Sequence, residues 1–501
     1  MRPRPIHAAV AEQARTRPAA PALVLGSEHV DYATLDAASD VYAQELTAAG
    51  VRPGTVVPVL LPRSPLLVAV LLSVLKCGAA YAALDHRWPQ ERVTLVTDAL
   101  RSPVLVTDRS APGSWTPPVE SLAQAAARRT AAPLTDIGSD APATVFFTSG
   151  TTGTPKGVLS PHRATTRLFG GPGAFADFGP GRVVLQAAPP AWDAFSLELW
   201  GPLTSGGCCV IAPGDYLLPD ALADLVAESG VDTVWLTSSL LNLFVDEDDP
   251  RRPCFAGIRQ VLTGGERLSP DHVARFLARY PDAVLTNGYG PVENCVFATT
   301  RRVTAADCAR PGGVPIGTPV PGTAVHVLDG DRPAAPDEPG EICLSGHGLA
   351  DGYLGAPEAT ATAFPTVVLD GDPVRVYRTG DLGRLDADGV LHFLGRADRQ
   401  VKISGHRIEP AEIETAARRI PGVREAAVVA VPARSGAYEA YERLAMFYTA
   451  EEGDDPDPAA VRRTLASRLP AHMVPRTVRR RAALPTTANG KLDHRSLIAS
   501  L

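Results

Sequence analysis

The sequence predicts an α/β protein, with a large N-terminal domain of layered sheets and helices and a small C-terminal α/β domain. Three observations lead there. Apolar runs of strand length alternate with helical patterns throughout, as expected where helices cover sheets. The 501 residues exceed what one core fills and suggest roughly two to four structural units. A charged break, RADRQ, follows Gly395, and a fresh alternation of helix and strand patterns begins beyond it.

Taken in order, LLVAVLLSVLKCGAA at 66–80 predicts a buried helix, because its apolar residues cover every face. TVFFTS at 144–149 and TVWL at 233–236 are β-branched and aromatic runs that read as strands. HVARFLARY at 272–280 spaces its apolar residues three and four apart, the pattern of an amphipathic helix. Linker-like composition marks 130–142, and DRPAAPDEPG at 331–340 reads as a turn-rich surface loop. VLHFLG at 390–395 closes the large domain as a strand. Residues 1–394 are assigned to the large domain, 395–400 to a polar hinge and 401–501 to the small domain. EGDDPDP at 452–458 reads as an exposed loop of the latter.

Composition narrows the function. A net charge of −7 offers no basic field for nucleic acid, so small-molecule chemistry is expected instead. The N-terminus has no long apolar core, and the most apolar stretch, 66–75, is too short to span a membrane and runs into Lys76. A cytoplasmic protein is expected. The seven cysteines form no CxxC pair, so reduced, packed thiols are expected rather than zinc or disulfides.

FFTSGTTGTPKGV at 146–158 carries the strongest chemical signal. Three glycines let the backbone approach an anion, five hydroxyls and the amides donate to phosphate oxygens, and Lys156 adds positive charge. The common P-loop requires Ser or Thr directly after its lysine, whereas Gly157 follows Lys156 here.

Further motifs follow in a fixed order: VDYATL at 30–35, LKCGAAYAALD at 75–85, the glycine loop, WDAFSLE at 192–198, NGYGPVE at 287–293, GEICLSGHGLADGYL at 340–354, YRTGDL at 377–382, GRADRQVKISGHRIEPAEIE at 395–414, LPAHMVP at 469–475 and NGKLDHR at 489–495. The ordered set resembles the core motifs of the amino-acid-activating adenylation domains of nonribosomal peptide synthetases. These belong to the adenylate-forming superfamily, with acyl-CoA ligases and luciferases.

The resemblance implies ATP and Mg²⁺. Thr148, Ser149, Gly150, Thr151, Thr152 and Lys156 would hold phosphates, Asn287 and Tyr289 the adenine, and Asp381 with Arg396 the ribose, with Gly265 also on the nucleotide side. Glu293 would be the Mg²⁺ ligand, a hard oxygen donor for a hard cation. Asp193, which locally reads as a helix N-cap, would pair with the substrate ammonium. Carried over by position, the side-chain pocket is Ala194, Leu197, Ser239, Leu262, Gly264, Gly288, Val296 and Phe297. It holds no charge and suits a neutral, largely apolar side chain, branched aliphatic or aromatic, with Ser239, Gly264 and Gly288 leaving space. Lys491 would neutralise charge as pyrophosphate leaves, and Lys402 would act in the second half-reaction from another face of a small domain that rotates about Asp398.

Four positions depart from the family pattern. Val292 replaces the usual threonine, removing a hydroxyl contact to phosphate of about 1.5–3 kcal/mol. Ala83 replaces a proline, Trp192 stands where phenylalanine is common near the thiol's route, and Ser404 replaces an arginine that contacts the carrier arm. The implied activity is formation of aminoacyl-AMP and pyrophosphate, then transfer to a phosphopantetheine thiol. Only nine residues follow Leu492, so the carrier is expected to be a separate protein, with a small activating partner also open. CoA or amine acceptors, a β-amino-acid substrate and a catalytically silent nucleotide-binding scaffold remain as alternatives.

Overall fold

The computed structural model describes residues 3–109, 113–118, 120–128, 135–150, 155–169, 171, 173–432, 441–451, 453–454, 456–485 and 492–501. Within them a nine-stranded sheet carries six parallel strands in the order Val284–Tyr289, Gln260–Gly264, Thr233–Thr237, Val183–Gln186, Cys208–Ile211 and Pro21–Leu25. Parallel strands covered on both faces need side chains that are apolar throughout, which is why TVWLT is buried along its whole length. Their C-terminal ends point the same way, and ligands of open α/β sheets bind beyond such ends.

A seven-stranded sheet includes Pro142–Thr148 paired antiparallel with Lys156–Pro161, in register Thr148 to Lys156. The glycine loop therefore joins two antiparallel strands. A P-loop joins a strand to a helix, so the missing Ser/Thr after Lys156 reflects a different scaffold.

The helix Pro65–Lys76 lies between the two sheets, with every residue except Leu66 buried. Each buried Leu or Val in it contributes about 1.5–3 kcal/mol to the core that it shares with both sheets. The helix is shorter than the predicted 66–80. Ser64 caps its start, Gly78 at φ +72° turns the chain out of it, and Ala80–Ala83 then forms a strand. Lys76 is buried, held by Asp36 at 2.7 Å and Asp40 at 2.6 Å, so its charge is paired inside the fold.

The amphipathic helix is observed as Pro270–Arg279. A five-stranded antiparallel sheet ends on Tyr377–Leu385 and Leu391–Arg396, so Gly395 and Arg396 lie in a strand and the linker proper begins after them. Beyond it, the hairpin Val401–Ile403 with His406–Ile408, a three-stranded sheet and the helices Pro410–Arg418, Pro458–Arg468 and His494–Ala499 build the small unit around buried clusters drawn from residues after 400. All seven cysteines are free thiols, six of them buried. Among the described residues no helix is long and apolar enough to cross a membrane.

Candidate functional site

A cleft opens beyond the C-terminal ends of the parallel strands, and the small unit's hairpin reaches into it. Trp192, Asp193, Ala194, Trp235, Val296 and Phe297 line one end, and Asp381, Arg396, Lys402 and Arg407 the other.

Asp193 directly precedes the helix Ala194–Ser205 but makes no side-chain capping bond to it. Its Oδ2 instead accepts the Val296 N–H at 3.0 Å. Cys295 and Val296 hold left-handed backbone at φ +51° and +60°. For a β-branched residue this strain costs on the order of 1–3 kcal/mol and persists only where the surroundings impose it. Arg167 imposes it, donating to the carbonyls of Asn294 at 2.8 Å and Phe297 at 2.7 Å from a buried guanidinium. Burial lowers the Arg167 pKa to about 10. Burial likewise pushes the Asp193 carboxyl up to about 6, against the Val296 bond and with the Glu293 charge adding to the rise.

The predicted pocket residues separate. Ala194, Gly288, Val296 and Phe297 line the cleft, whereas Leu197, Leu262 and Gly264 do not. Ser239 is turned away from it and donates to Glu266. Trp235, on the strand that leads to Ser239 and overlooked in the sequence reading, takes a place in the wall; register pairs it with Leu262 on the next strand. The two glycines do not leave space. A Cβ on Gly288 would fall 2.2 Å from the Phe297 ring, and one on Gly264 2.1 Å from the Gly288 carbonyl oxygen. They admit a ring and a neighbouring backbone, and the pocket is narrowed by aromatic groups. Trp192 meets Trp235 edge-on at 5.0 Å and stacks on His406 at 5.3 Å, and His406 stacks on His472 at 3.9 Å. Burial lowers the His406 pKa to about 4 and that of His472 further still.

On the nucleotide side, the Tyr289 hydroxyl donates to Asp381 at 2.6 Å, and Arg396 pairs with Asp381 and with Asp398 at 2.7 Å. Asn287 is buried outside the cleft lining, its amide N–H donating to the Pro315 carbonyl at 3.0 Å. Gly265, at φ +84°, lies against Gly405 of the hairpin tip. Lys156 Nζ sits 5.2 Å over the Tyr353 ring and Lys402 Nζ 5.8 Å over that of Tyr289. Burial lowers the Lys402 pKa. Thr148 and Gly150 are buried at the end of the strand, while Thr151, Thr152 and Lys491 lie outside the described residues.

Glu293 is 1% exposed and faces the Arg407 guanidinium at 2.9 Å and the Tyr353 hydroxyl at 2.9 Å. Burial alone would raise its pKa, but Arg407 holds the carboxyl below the ordinary glutamate value. An ionised, buried oxygen donor of this kind fits Mg²⁺, which takes one or two protein carboxylates and completes its shell with phosphates and water. The hairpin turns at Ser404 and Gly405, both with positive φ (+50° and +80°), as a two-residue turn matched to strand twist demands. A Cβ on Gly405 would lie 2.5 Å from Thr237 Cγ2 and 2.8 Å from Trp192 Cη2, so only glycine fits at this tip.

A family model described as AMP-binding enzyme matches residues 10–354, and one described as AMP-binding enzyme C-terminal domain matches residues 412–491. The chain is similar to malpibaldin synthetase of Mortierella alpina, 38% identical over 97% of this chain, and to phosphinothricin tripeptide synthetase PhsC of Streptomyces viridochromogenes, 37% identical over 99%. It spans 9% and 45% of the length of these two relatives. Among solved structures it is similar to PA1221, an NRPS protein containing adenylation and PCP domains, with TM-score 0.88, 35% identity and coverage of 100% of this chain and 84% of that one. It is also similar to the amide bond synthetase McbA of Marinactinospora thermotolerans, with TM-score 0.83, 26% identity and 99% of each chain covered.

Proposed function

Because this chain belongs to the AMP-binding enzyme family and is an adenylate-forming ligase, we propose that it activates a neutral aliphatic amino acid as its aminoacyl adenylate and passes it to a carrier-borne phosphopantetheine thiol. One observation carries the choice of an amino acid: Asp193 is a buried carboxylate that declines to cap its own helix and faces a cleft walled by apolar and aromatic groups. A buried carboxylate demands a counter-charge, and an ammonium group entering beside it supplies one. The narrowing by Trp235, Trp192 and Phe297 favours a short branched side chain over an aromatic one.

With ATP as co-substrate, the amino acid's carboxylate attacks the α-phosphorus and pyrophosphate leaves. The glycine loop and Lys156 hold the departing phosphates, Asp381 the ribose hydroxyls, and Tyr289 stacks on the adenine. Lys491, by family resemblance, neutralises charge at the carboxylate and α-phosphate. Glu293 would hold Mg²⁺, which offsets charge on the phosphates when bound. The small domain then turns about Asp398, bringing Lys402 and the Gly405 tip to the cleft for attack by the thiol. Similarity to PA1221, which contains a PCP domain, supports a carrier as acceptor; similarity to McbA keeps an amine acceptor as the second reading.

The test is amino-acid-dependent exchange of labelled pyrophosphate into ATP. Valine-sized residues are expected to support it, and silence across a full amino-acid panel refutes the proposal. Release of AMP on adding a phosphopantetheine-bearing carrier, CoA or an amine then separates the acceptors.

A further inference from the structure

The phosphate loop already holds an anion supplied by the protein itself. The Gly150 N–H donates to Glu412 Oε2 at 2.9 Å, and Arg92 Nη1 donates to Glu412 Oε1 at 2.7 Å. Glu412 and Arg92 are 2% and 5% exposed, so both charges are withdrawn from water. Glu412 belongs to the small unit, in the first turn of the helix Pro410–Arg418, whereas Arg92, on the helix Gln90–Leu100, and Gly150 belong to the large one. The neighbouring contacts have the same character. Ser149 Oγ donates to the Arg407 carbonyl at 3.0 Å and accepts the Glu409 N–H at 3.1 Å, while Arg407 covers Glu293. The Gly150 amide, the Ser149 hydroxyl and the nearby Glu293 are thus all engaged by one segment, 407–412.

A guanidinium and a backbone amide of a glycine-rich turn converging on two oxygens form an anion site that suits phosphate as well as carboxylate. Arg92 Nε is buried with no hydrogen-bond partner among the described residues, one donor more than a carboxylate uses here. A phosphate has an additional oxygen to give it.

We infer that Arg92 and the Gly150 amide form a binding site for a terminal phosphate, and that Glu412 is its internal occupant when the small domain is docked as here. The inference rests on the reading that the loop serves ATP. The phosphate concerned is carried by ATP before adenylate formation and by free pyrophosphate after it. Glu412 and either ligand exclude one another. Docking of the small domain therefore fills the site that pyrophosphate has left and opposes its return, which would reverse the reaction. ATP in turn must displace Glu412 to bind.

The test is calorimetric titration of the full chain with inorganic pyrophosphate and, separately, with a non-hydrolysable ATP analogue, each with magnesium. Glu412→Gln keeps the side chain's shape but loses its charge. It is expected to bind tighter than wild type by about tenfold, because a competitor that hides the site reduces apparent affinity by the hidden fraction. Adding Arg92→Met to it is expected to undo that gain. Tightening with both probes assigns the site to a phosphate shared by the two ligands; tightening with one assigns it to that ligand. Unchanged or weaker binding of both probes by a folded Glu412→Gln protein overturns the inference. Absence of binding by wild type and variants alike overturns the ATP reading itself. If Glu412→Gln does not fold, Glu412→Asp, one methylene too short to span Arg92 and Gly150, carries the same expectation.

Discussion

Replacing Asp193 with asparagine isolates the charge at the centre of the proposed substrate site. Asparagine keeps an oxygen for the Val296 N–H, now at 3.0 Å, and matches the volume of a residue only 6% exposed, so the fold is expected to survive. What it lacks is the negative charge opposite the incoming ammonium. Removing one member of a buried, hydrogen-bonded charge pair costs about 2–5 kcal/mol. The shape-preserving change should cost about 3 kcal/mol, roughly a hundredfold in kcat/KM for the amino acid at about 1.4 kcal/mol per decade. The KM for ATP should be unaffected. A second signature follows from the pKa of about 6. Below that pH the carboxyl is protonated and the ammonium loses its partner, so wild-type kcat/KM should fall about tenfold per pH unit, whereas Asp193→Asn has no such limb. Pyrophosphate exchange measured against amino-acid concentration from pH 5 to pH 8 reads both effects. Equal kcat/KM in the two proteins, or an acid limb that persists in the variant, refutes the assignment of Asp193 to the ammonium.

Trp235→Ala removes an indole from the pocket wall and should shift the exchange preference toward larger side chains by at least tenfold, while Ser239→Ala, altered on the surface beside Glu266, should leave it within twofold. Gly405→Ala places a methyl 2.5 Å from Thr237 and should impair acyl transfer to the acceptor at least tenfold while adenylate formation continues, as read by product loading against exchange. Lys491→Ala should abolish exchange and Lys402→Ala spare it but impair loading; the reverse pattern shows the two roles to be exchanged.

Much of the large domain is legible because its strands are buried on both faces and its helices carry clean periodicity; TVWL, TVFFTS and HVARFLARY needed no tertiary information. The helix at 66–80 was overextended because an apolar run contains nothing to separate a buried helix from the buried strand that follows, except Gly78, whose left-handed backbone ends the helix. The pocket was misread for a related reason. A glycine in a list of lining positions suggests room, but whether a ring fills that room depends on Phe297, which arrives from a strained turn held by Arg167 and Asp193. Arg167 itself sits in no motif, and its role is visible only through the carbonyls it reaches.

Scaffold, family and phosphate loop follow from the order of residues along the chain, since these rest on periodicity and on motifs a few residues long. What those groups face follows from packing. Glu293 meets Arg407 across 114 residues and Gly150 meets Glu412 across 262, pairings that no local pattern encodes. Backbone periodicity fixes where a side chain sits along its own element, but the charge it meets is set by how distant elements come together. The Gly150 amide, which reads in sequence as part of a phosphate cradle, is therefore found in the folded chain bonded to the carboxylate of Glu412.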